Sequence, residues 1–293
     1  MNVYETVTSR IIESLDAGII PWRKEWQAGA GSLPVNYLTK KTYRGINVFV
    51  LLCSEFSSNA WLTYKQAQTL GFQVRKGSKG MPVVFWKFDK RKDAVTGEDE
   101  RIAFARQYTV FNIEQCDGVP DSLPFDAPTF EPIGEAENLV SRFLSLEKAP
   151  ALKHAGGRAF YSPTFDSVTM PARESFTSPE AYYSTLYHEL GHATGHETRL
   201  DRFRNVGQFD FGSESYSKEE LIAEFTAAFL CAETGIVNES VLTNHAAYVQ
   251  GWLRSLKNDK ALAMQAAQCA QRAADLILCR AAYEGGADAS EVA

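Results

Sequence analysis

The chain has 293 residues, 45% hydrophobic and 23% charged, with a net charge of −6. That balance describes an ordinary soluble globular protein of about two domains with ample material for a core. It holds no run of 18 uncharged apolar residues, and Glu5, Glu13 and Asp16 interrupt its first twenty residues, so neither a spanning helix nor a signal peptide is expected and the expected setting is the cytoplasm, without a membrane partner. Five cysteines, at 53, 116, 231, 269 and 279, form no CxxC pair, which supports neither a disulfide framework nor a thiolate zinc site.

Charge divides the chain. Residues 1–116 hold 16 Lys and Arg against 11 Asp and Glu, a balance of +5, whereas the remainder holds 14 against 25, or −11. Between the halves, 117–134 carries Pro120, Pro124, Pro128 and Pro132, a spacing that sustains neither helix nor central strand and reads as an extended linker. The expected organisation is therefore an α+β protein: a small α+β domain at 1–116, a Pro-rich linker at 117–134, and a mainly helical domain with a short β-hairpin at 135–293.

The first half opens with an amphipathic helix over Val3–Ala17, striped by Val7, Ile11, Ile12 and Leu15. A turn with Trp22 and Trp26 follows, then a helix of about ten residues opened by Tyr43-Arg44-Gly45-Ile46-Asn47. Thr63 is placed to cap a further helix ending at Gly71. A flexible basic loop (Val74 to Gly80) leads into strands over Pro82–Phe88 and Arg101–Phe111, joined by a charged turn at Asp93–Gly97. Aromatic rings interleaved with cations suit a single-stranded nucleic acid, because bases stack on exposed rings while Lys and Arg follow the phosphates. Trp22, Trp26, Tyr37, Tyr43, Arg44, Trp61, Lys65, Arg75, Lys76 and Lys79 are the candidates. The bland alternative is that the rings are core and the loop merely solvated. No helix-turn-helix or zinc-finger spacing supports reading of a duplex.

The second half starts with a helix over Ala136–Leu146. Short alternating segments between His154 and Pro171 then read as a hairpin whose edge strand an extended peptide could join. Ser178 is placed to cap the helix that carries His188-Glu189-Leu190-Gly191-His192. Four residues between two histidines put both imidazoles on one helix face, one turn apart, where they can share a metal ion. Glu189 lies about 100° round the same helix, as a base for a water on the open side. A third ligand must come from elsewhere. The position six residues after His192 is Thr198, so the metzincin pattern fails; His196 cannot close a tetrahedron from the same straight helix and reads as an outer or surface residue, and lone His154 and His245 as non-ligating. Downstream, a helix from Ser217, its expected cap, buries Glu220 and Glu224 one turn apart on one face of an alanine-rich helix, with Glu219 pointing away. Carboxylates there need a partner such as a metal. The pair resembles thermolysin-like sites, which implies Glu220 as third ligand and Glu224 behind a ligand histidine; the reversed assignment stays open. Alanine-rich helices over 246–257 and 261–283 are expected to pack the back of the site.

Motifs run nearly end to end: PWRKEW, YRGIN, WLTYKQA, LGFQVRKGSKG and VVFW, then YYSTLYHELGHATGH, RLDR, EELIAEFTAAFL and YVQGWLRSLKND. In this order they resemble the ArdC family of plasmid-borne antirestriction proteins. The resemblance implies an N-terminal domain that binds single-stranded DNA, a C-terminal zincin-like metallopeptidase domain and protection of incoming conjugative DNA from host restriction. Glu25 stands where many relatives have proline before the second tryptophan. Zn²⁺ is the expected cofactor, with another divalent ion such as Mn²⁺ as alternative. Host restriction proteins or other DNA-bound proteins are the expected peptidase targets. The alternative function is a non-proteolytic protein that coats single strands, its metal site structural or regulatory.

Overall fold

The computed structural model describes residues 2–17, 20–21, 33–54, 56, 58–92, 99–120, 132–204, 214–236 and 245–280. In chain order the elements are α1 (Val3–Asp16), β1 (Val35–Asn36), α2 (Ile46–Leu52), β2 (Ala60–Thr63), α3 (Tyr64–Thr69), β3 (Gln73–Val74), β4 (Met81–Lys92), β5 (Asp99–Asn112), β6 (Cys116–Asp117), α4 (Pro132–Leu144), β7 (Ala151–His154), β8 (Phe160–Ser162), β9 (Ser167–Met170), α5 (Pro179–Ala193), α6 (Glu214–Thr234), α7 (His245–Asn258) and α8 (Leu262–Ile277). This is an α+β fold, with the longer strands in the first part and the longer helices in the second.

Local chemistry sets the helix ends. Asn2 and Glu5 exchange side-chain and backbone hydrogen bonds at the start of α1, and Thr63 and Gln66 do the same for α3; each box satisfies amides that no preceding turn can reach. Val7, Ile11 and Leu15 bury one stripe of α1. Gly71, at φ +77°, takes the left-handed conformation that ends α3.

The main sheet has the order β1-β2-β5-β4. Strands β4 and β5 pair antiparallel from Met81↔Val110 to Lys92↔Asp99, a longer ribbon than the sequence pattern predicts; the turn expected at 93–97 lies outside the described residues. Pro82 sits on β4, an outer strand, where its missing N–H does least harm. Asn47 of α2 donates to the carbonyl of Val84 at 2.8 Å and accepts its N–H at 2.7 Å, locking helix to strand. Strand β3 pairs with β6 through Gln73↔Asp117 and Val74↔Cys116.

Of the expected linker, residues 121–131 lie outside the described ones. Its end is corrected: Pro132 opens α4, because at a first helical position proline loses no hydrogen bond and its fixed φ already suits the helix. The expected hairpin is β8–β9, paired antiparallel through Tyr161↔Val168. Strand β7 adds a parallel partner to β9, Ala151↔Ser167 through His154↔Met170, leaving β8 as an outer strand beside α5. Helix α6 starts at Glu214, so Ser217 lies in its first turn and is not its cap.

A single large core joins the halves. Phe49 of α2 stacks on Phe225 of α6 with ring centroids 4.0 Å apart and lies 5.0 Å from Phe229. Around it, the Thr8 hydroxyl donates to the Lys260 carbonyl at 2.7 Å, Arg44 pairs with Asp275 at 2.5 Å, and the Gly45 N–H meets Gln271 at 3.1 Å. Trp252, Leu256, Leu262 and Ala266 bury the faces of α7 and α8 behind α6, as expected. All five cysteines are free. Among the described residues no helix is long and apolar enough to cross a membrane.

Candidate metal centre

Helix α5 is fixed at its start by Ser178, whose hydroxyl accepts the Ala181 N–H at 3.0 Å, with Pro179 at the first helical position. Tyr182, Tyr183, Leu186, Tyr187 and Leu190 anchor it in the core. Gly191 sets how closely it meets α6: a methyl there would stand 3.2 Å from both the Ala223 Cα and the Thr226 Cβ. His188 faces Glu224 while His192 faces Glu219, so the two helices run antiparallel.

Between them, ligand atoms of His188, His192 and Glu220 all lie within 4.8 Å of one another. The His188 and His192 Nε2 atoms are 3.1 Å apart. Glu220 Oε2 lies 3.4 Å from the first and Oε1 3.6 Å from the second. Donors at about 2.0–2.2 Å from an ion in a tetrahedral shell stand about 3.3–3.6 Å from one another; both histidine–carboxylate distances fall in that range and the ring–ring distance is slightly shorter, so the three residues fit a divalent cation. The outer contacts agree. His188 Nδ1 lies 3.4 Å from Glu224 Oε1, and His192 Nδ1 lies 3.4 Å from Glu219 Oε1. A ring that donates its Nδ1–H to a carboxylate turns the Nε2 lone pair inward. At 3.1 Å the two Nε2 atoms need either a proton on one ring or a cation between them.

That charge pattern governs protonation. Burial works against a charged His188, but the Glu220 and Glu224 carboxylates outweigh it and hold the ring well above the usual histidine range. Burial likewise pushes Glu219 up, and His192 with Arg202 more than compensate, holding it below the usual carboxylate range. Arg202 donates to Glu219 Oε1 at 2.7 Å and Oε2 at 3.1 Å, to the Gly191 carbonyl at 2.9 Å and to the Thr194 hydroxyl at 2.8 Å. It thereby ties the carboxylate behind His192 to the end of α5.

The structure thus brings His188, His192 and Glu220 to one point, with Glu224 behind His188. Glu189 is buried on the same helix, 8% exposed. Glu219, expected to point away, is corrected: it backs His192, because histidines one turn apart on α5 face a longer span of α6 than Glu220 and Glu224 cover. Its signal was a third acid on an apolar helix. Arg202 has no such local signal. His196 stands apart, 2.9 Å from the Thr198 hydroxyl and 3.8 Å from Asp166, and His154 meets the Tyr182 hydroxyl at 2.8 Å. Arg199 ties the end of α5 to β8, donating to the Ala193 carbonyl at 2.8 Å and to Asp166 at 2.9 Å, while Tyr161 of β8 donates to Asp166 at 2.8 Å.

The expected strand-binding residues are scattered by burial. Trp61 is 1% exposed and edges Phe56; Tyr37 and Tyr43 are also buried. These are corrections: rings closed inside a core offer no face for a base. Burial pushes the Tyr43 hydroxyl up to about 12, against a lowering contact from Asn36. The Arg44 guanidinium is engaged by Asp275. Lys65, Arg75, Lys76 and Lys79 are exposed, and Trp22 and Trp26 lie outside the described residues. Tyr64, which was not among the candidates, is 46% exposed.

Residues 138–269 match the zincin-like metallopeptidase family, and residues 1–111 match the N-terminal domain of anti-restriction factor ArdC. The chain is similar in structure to the antirestriction ArdC protein from R388 plasmid. Against its metal-free crystal structure the TM-score is 0.75, with 39% identity over 94% of this chain and 97% of that one. Against its Mn(II)-bound form the score is 0.77, with 40% identity over 97% and 100%. A DNA primase TraC of Escherichia coli is 40% identical over 94% of this chain but only 20% of its own length, and a second TraC is 39% identical over 27% of its length. The chain therefore spans about a fifth to a quarter of those relatives. The uncharacterized protein y4eC of Sinorhizobium fredii (strain NBRC 101917 / NGR234) is 38% identical, covered over 91% of its length.

Proposed function

Because the chain belongs to the ArdC family of antirestriction factors and carries the family's zincin-like part, we propose that it binds single-stranded DNA and hydrolyses peptide bonds in DNA-bound proteins. In this way it protects incoming conjugative plasmid DNA from restriction in the cytoplasm. In this reading the part through β6 forms the strand-binding domain and the part from α4 onward the metallopeptidase domain. The observation that carries it is the meeting of ligand atoms of His188, His192 and Glu220 within 4.8 Å of one another. A closed structural zinc normally takes a fourth protein ligand; the described cluster offers three, with a buried glutamate on the helix beside them.

His188, His192 and Glu220 would hold the ion, Zn²⁺ or Mn²⁺. When bound, it supplies Lewis acidity, lowering the pKa of a water towards neutrality and polarising the scissile carbonyl. The chain's own groups do the rest. Glu224 and Glu219 fix the imidazole orientations, and Arg202 holds Glu219 in place. Glu189 takes the proton from water as the oxygen adds to the carbonyl carbon, then delivers it to the amine nitrogen as the C–N bond breaks. Strand β8 gives an extended polypeptide an outer edge to pair with.

Glu189→Gln keeps the metal set and removes the base. The expected result is retained metal and DNA binding with protection from restriction lost. If the variant protects transferred DNA as well as the parent does, the peptidase reading is wrong and occupancy of the strand is the mechanism.

A further inference from the structure

With Trp61, Tyr43 and Tyr37 enclosed in core, a base on this surface needs another ring to stack on. Among those of the first 116 residues whose side-chain burial is described, Tyr64 is the aromatic ring that stands exposed, at 46%. It opens α3 where β2 ends, and its ring meets Phe111 of β5 edge-on, centroids 6.5 Å apart. The strand register puts the basic loop close by: Thr63 and Met81 flank Val110 from opposite sides, so Lys79 and Gly80 enter β4 two strands away from Tyr64. Gly80 makes that approach possible, because a methyl on it would stand 2.3 Å from the Thr109 methyl and 3.2 Å from the Phe111 ring.

The loop, expected to be flexible, is pinned. Arg75 N–H donates to the Gln115 carbonyl at 2.9 Å, Gln115 donates back to the Lys79 carbonyl at 3.0 Å, and Ser78 N–H closes a turn on Arg75 at 3.1 Å. The Arg75 side chain is itself spent on Glu114 and Asp117. Lys76 and Lys79 project from this frame into solvent, with Lys65 exposed next to Tyr64.

We propose that Tyr64, supported by Phe111 and flanked by Lys65, Lys76 and Lys79, is the platform on which a base of single-stranded DNA stacks. The inference rests on the strand-binding reading above and names the ring that performs it. A ring held edge-on by a neighbour is preorganised, so little freedom is lost when a base covers its open face. The lysines follow the phosphates on either side. A duplex keeps its bases paired and cannot use the site.

The test is fluorescence anisotropy of labelled oligo(dT) with the full chain over a series of salt concentrations. Tyr64→Ala is expected to weaken binding about five-fold to a hundred-fold while leaving the salt dependence unchanged, and Tyr64→Phe to restore affinity to within about two-fold, since the stacking face survives. Lys76→Ala or Lys79→Ala should instead flatten the log–log salt slope by about 0.7 each. If the parent binds and Tyr64→Ala binds equally well, or if duplex of the same length competes as effectively, the platform is overturned while strand binding itself stands. A parent that fails to bind oligo(dT) at low salt overturns the strand-binding reading, and the platform with it.

Discussion

Arg202 shows how much of the centre depends on a residue that touches no ligand. Its guanidinium neutralises Glu219 in a pocket where both side chains are only 10% exposed, and removing one partner of such a pair leaves a buried charge, at about 3–5 kcal/mol. Arg202→Met should therefore lower the stability of the metal-free protein by roughly that amount, measured by urea unfolding. Glu219→Gln keeps the shape but weakens the pull on His192; metal affinity should fall about 10–100-fold in a chelator competition assay. His188 adds a pH dependence with a definite sign. Its folded pKa is raised above the usual value near 6.5, so in the metal-free protein it contributes stability that is full below that value and is lost as pH rises through the folded pKa. Metal binding must expel the same proton, so affinity should climb with pH over the same window and level off above it. Calorimetry in buffers of different ionisation enthalpy should record protons released at neutral pH. The paired histidines and the glutamate beside them are legible from sequence because His188, Glu189 and His192 lie on one helix at fixed spacing. Glu219 and Arg202 depend on which part of another element faces that helix, and spacing within one element does not contain that.

At the scale of elements, the centre is a contact between two antiparallel helices, and Gly191 controls their separation. An added methyl meets the backbone of Ala223, not the end of a flexible side chain, so α6 has to move outward. Gly191→Ala should cost about 1–3 kcal/mol and also weaken metal binding, because Glu220 rides on the helix that shifts. Thermal unfolding with and without added Mn(II) separates the two effects: the stabilisation by metal should shrink along with the melting temperature. Capping was partly readable, since Ser178 and Thr63 precede their helices with the expected hydroxyl; Ser217 failed because α6 gains an extra turn at its start. Strand β7 was missed because a short segment paired in parallel to a distant partner leaves no alternation or turn to mark it.

On the scale of the whole molecule, charge and proline spacing suggest two separate units, while the core runs through both. Phe49 of the first half stacks on Phe225, the residue after Glu224, and Asn47, two positions earlier, is locked to the main sheet. Helix α2 thus ties the sheet to the helix that carries the acids of the centre. Phe49→Ala should cost about 3–5 kcal/mol, and scanning calorimetry of the parent should give one cooperative transition; two separated transitions, with only the first moved by Phe49→Ala, would show that the halves fold apart. Composition could not anticipate this, because nothing in a hydrophobic residue states which half it packs against. The same ambiguity made Trp61 and Tyr43 look like surface rings.

The most direct measurement is an anomalous difference map from crystals grown with Zn(II) or Mn(II). The account predicts one strong peak about 2.0–2.2 Å from His188 Nε2, His192 Nε2 and a Glu220 carboxylate oxygen, with Glu224 and Glu219 outside the coordination shell. A peak held by Glu224 in place of Glu220, or no peak between α5 and α6, would contradict it.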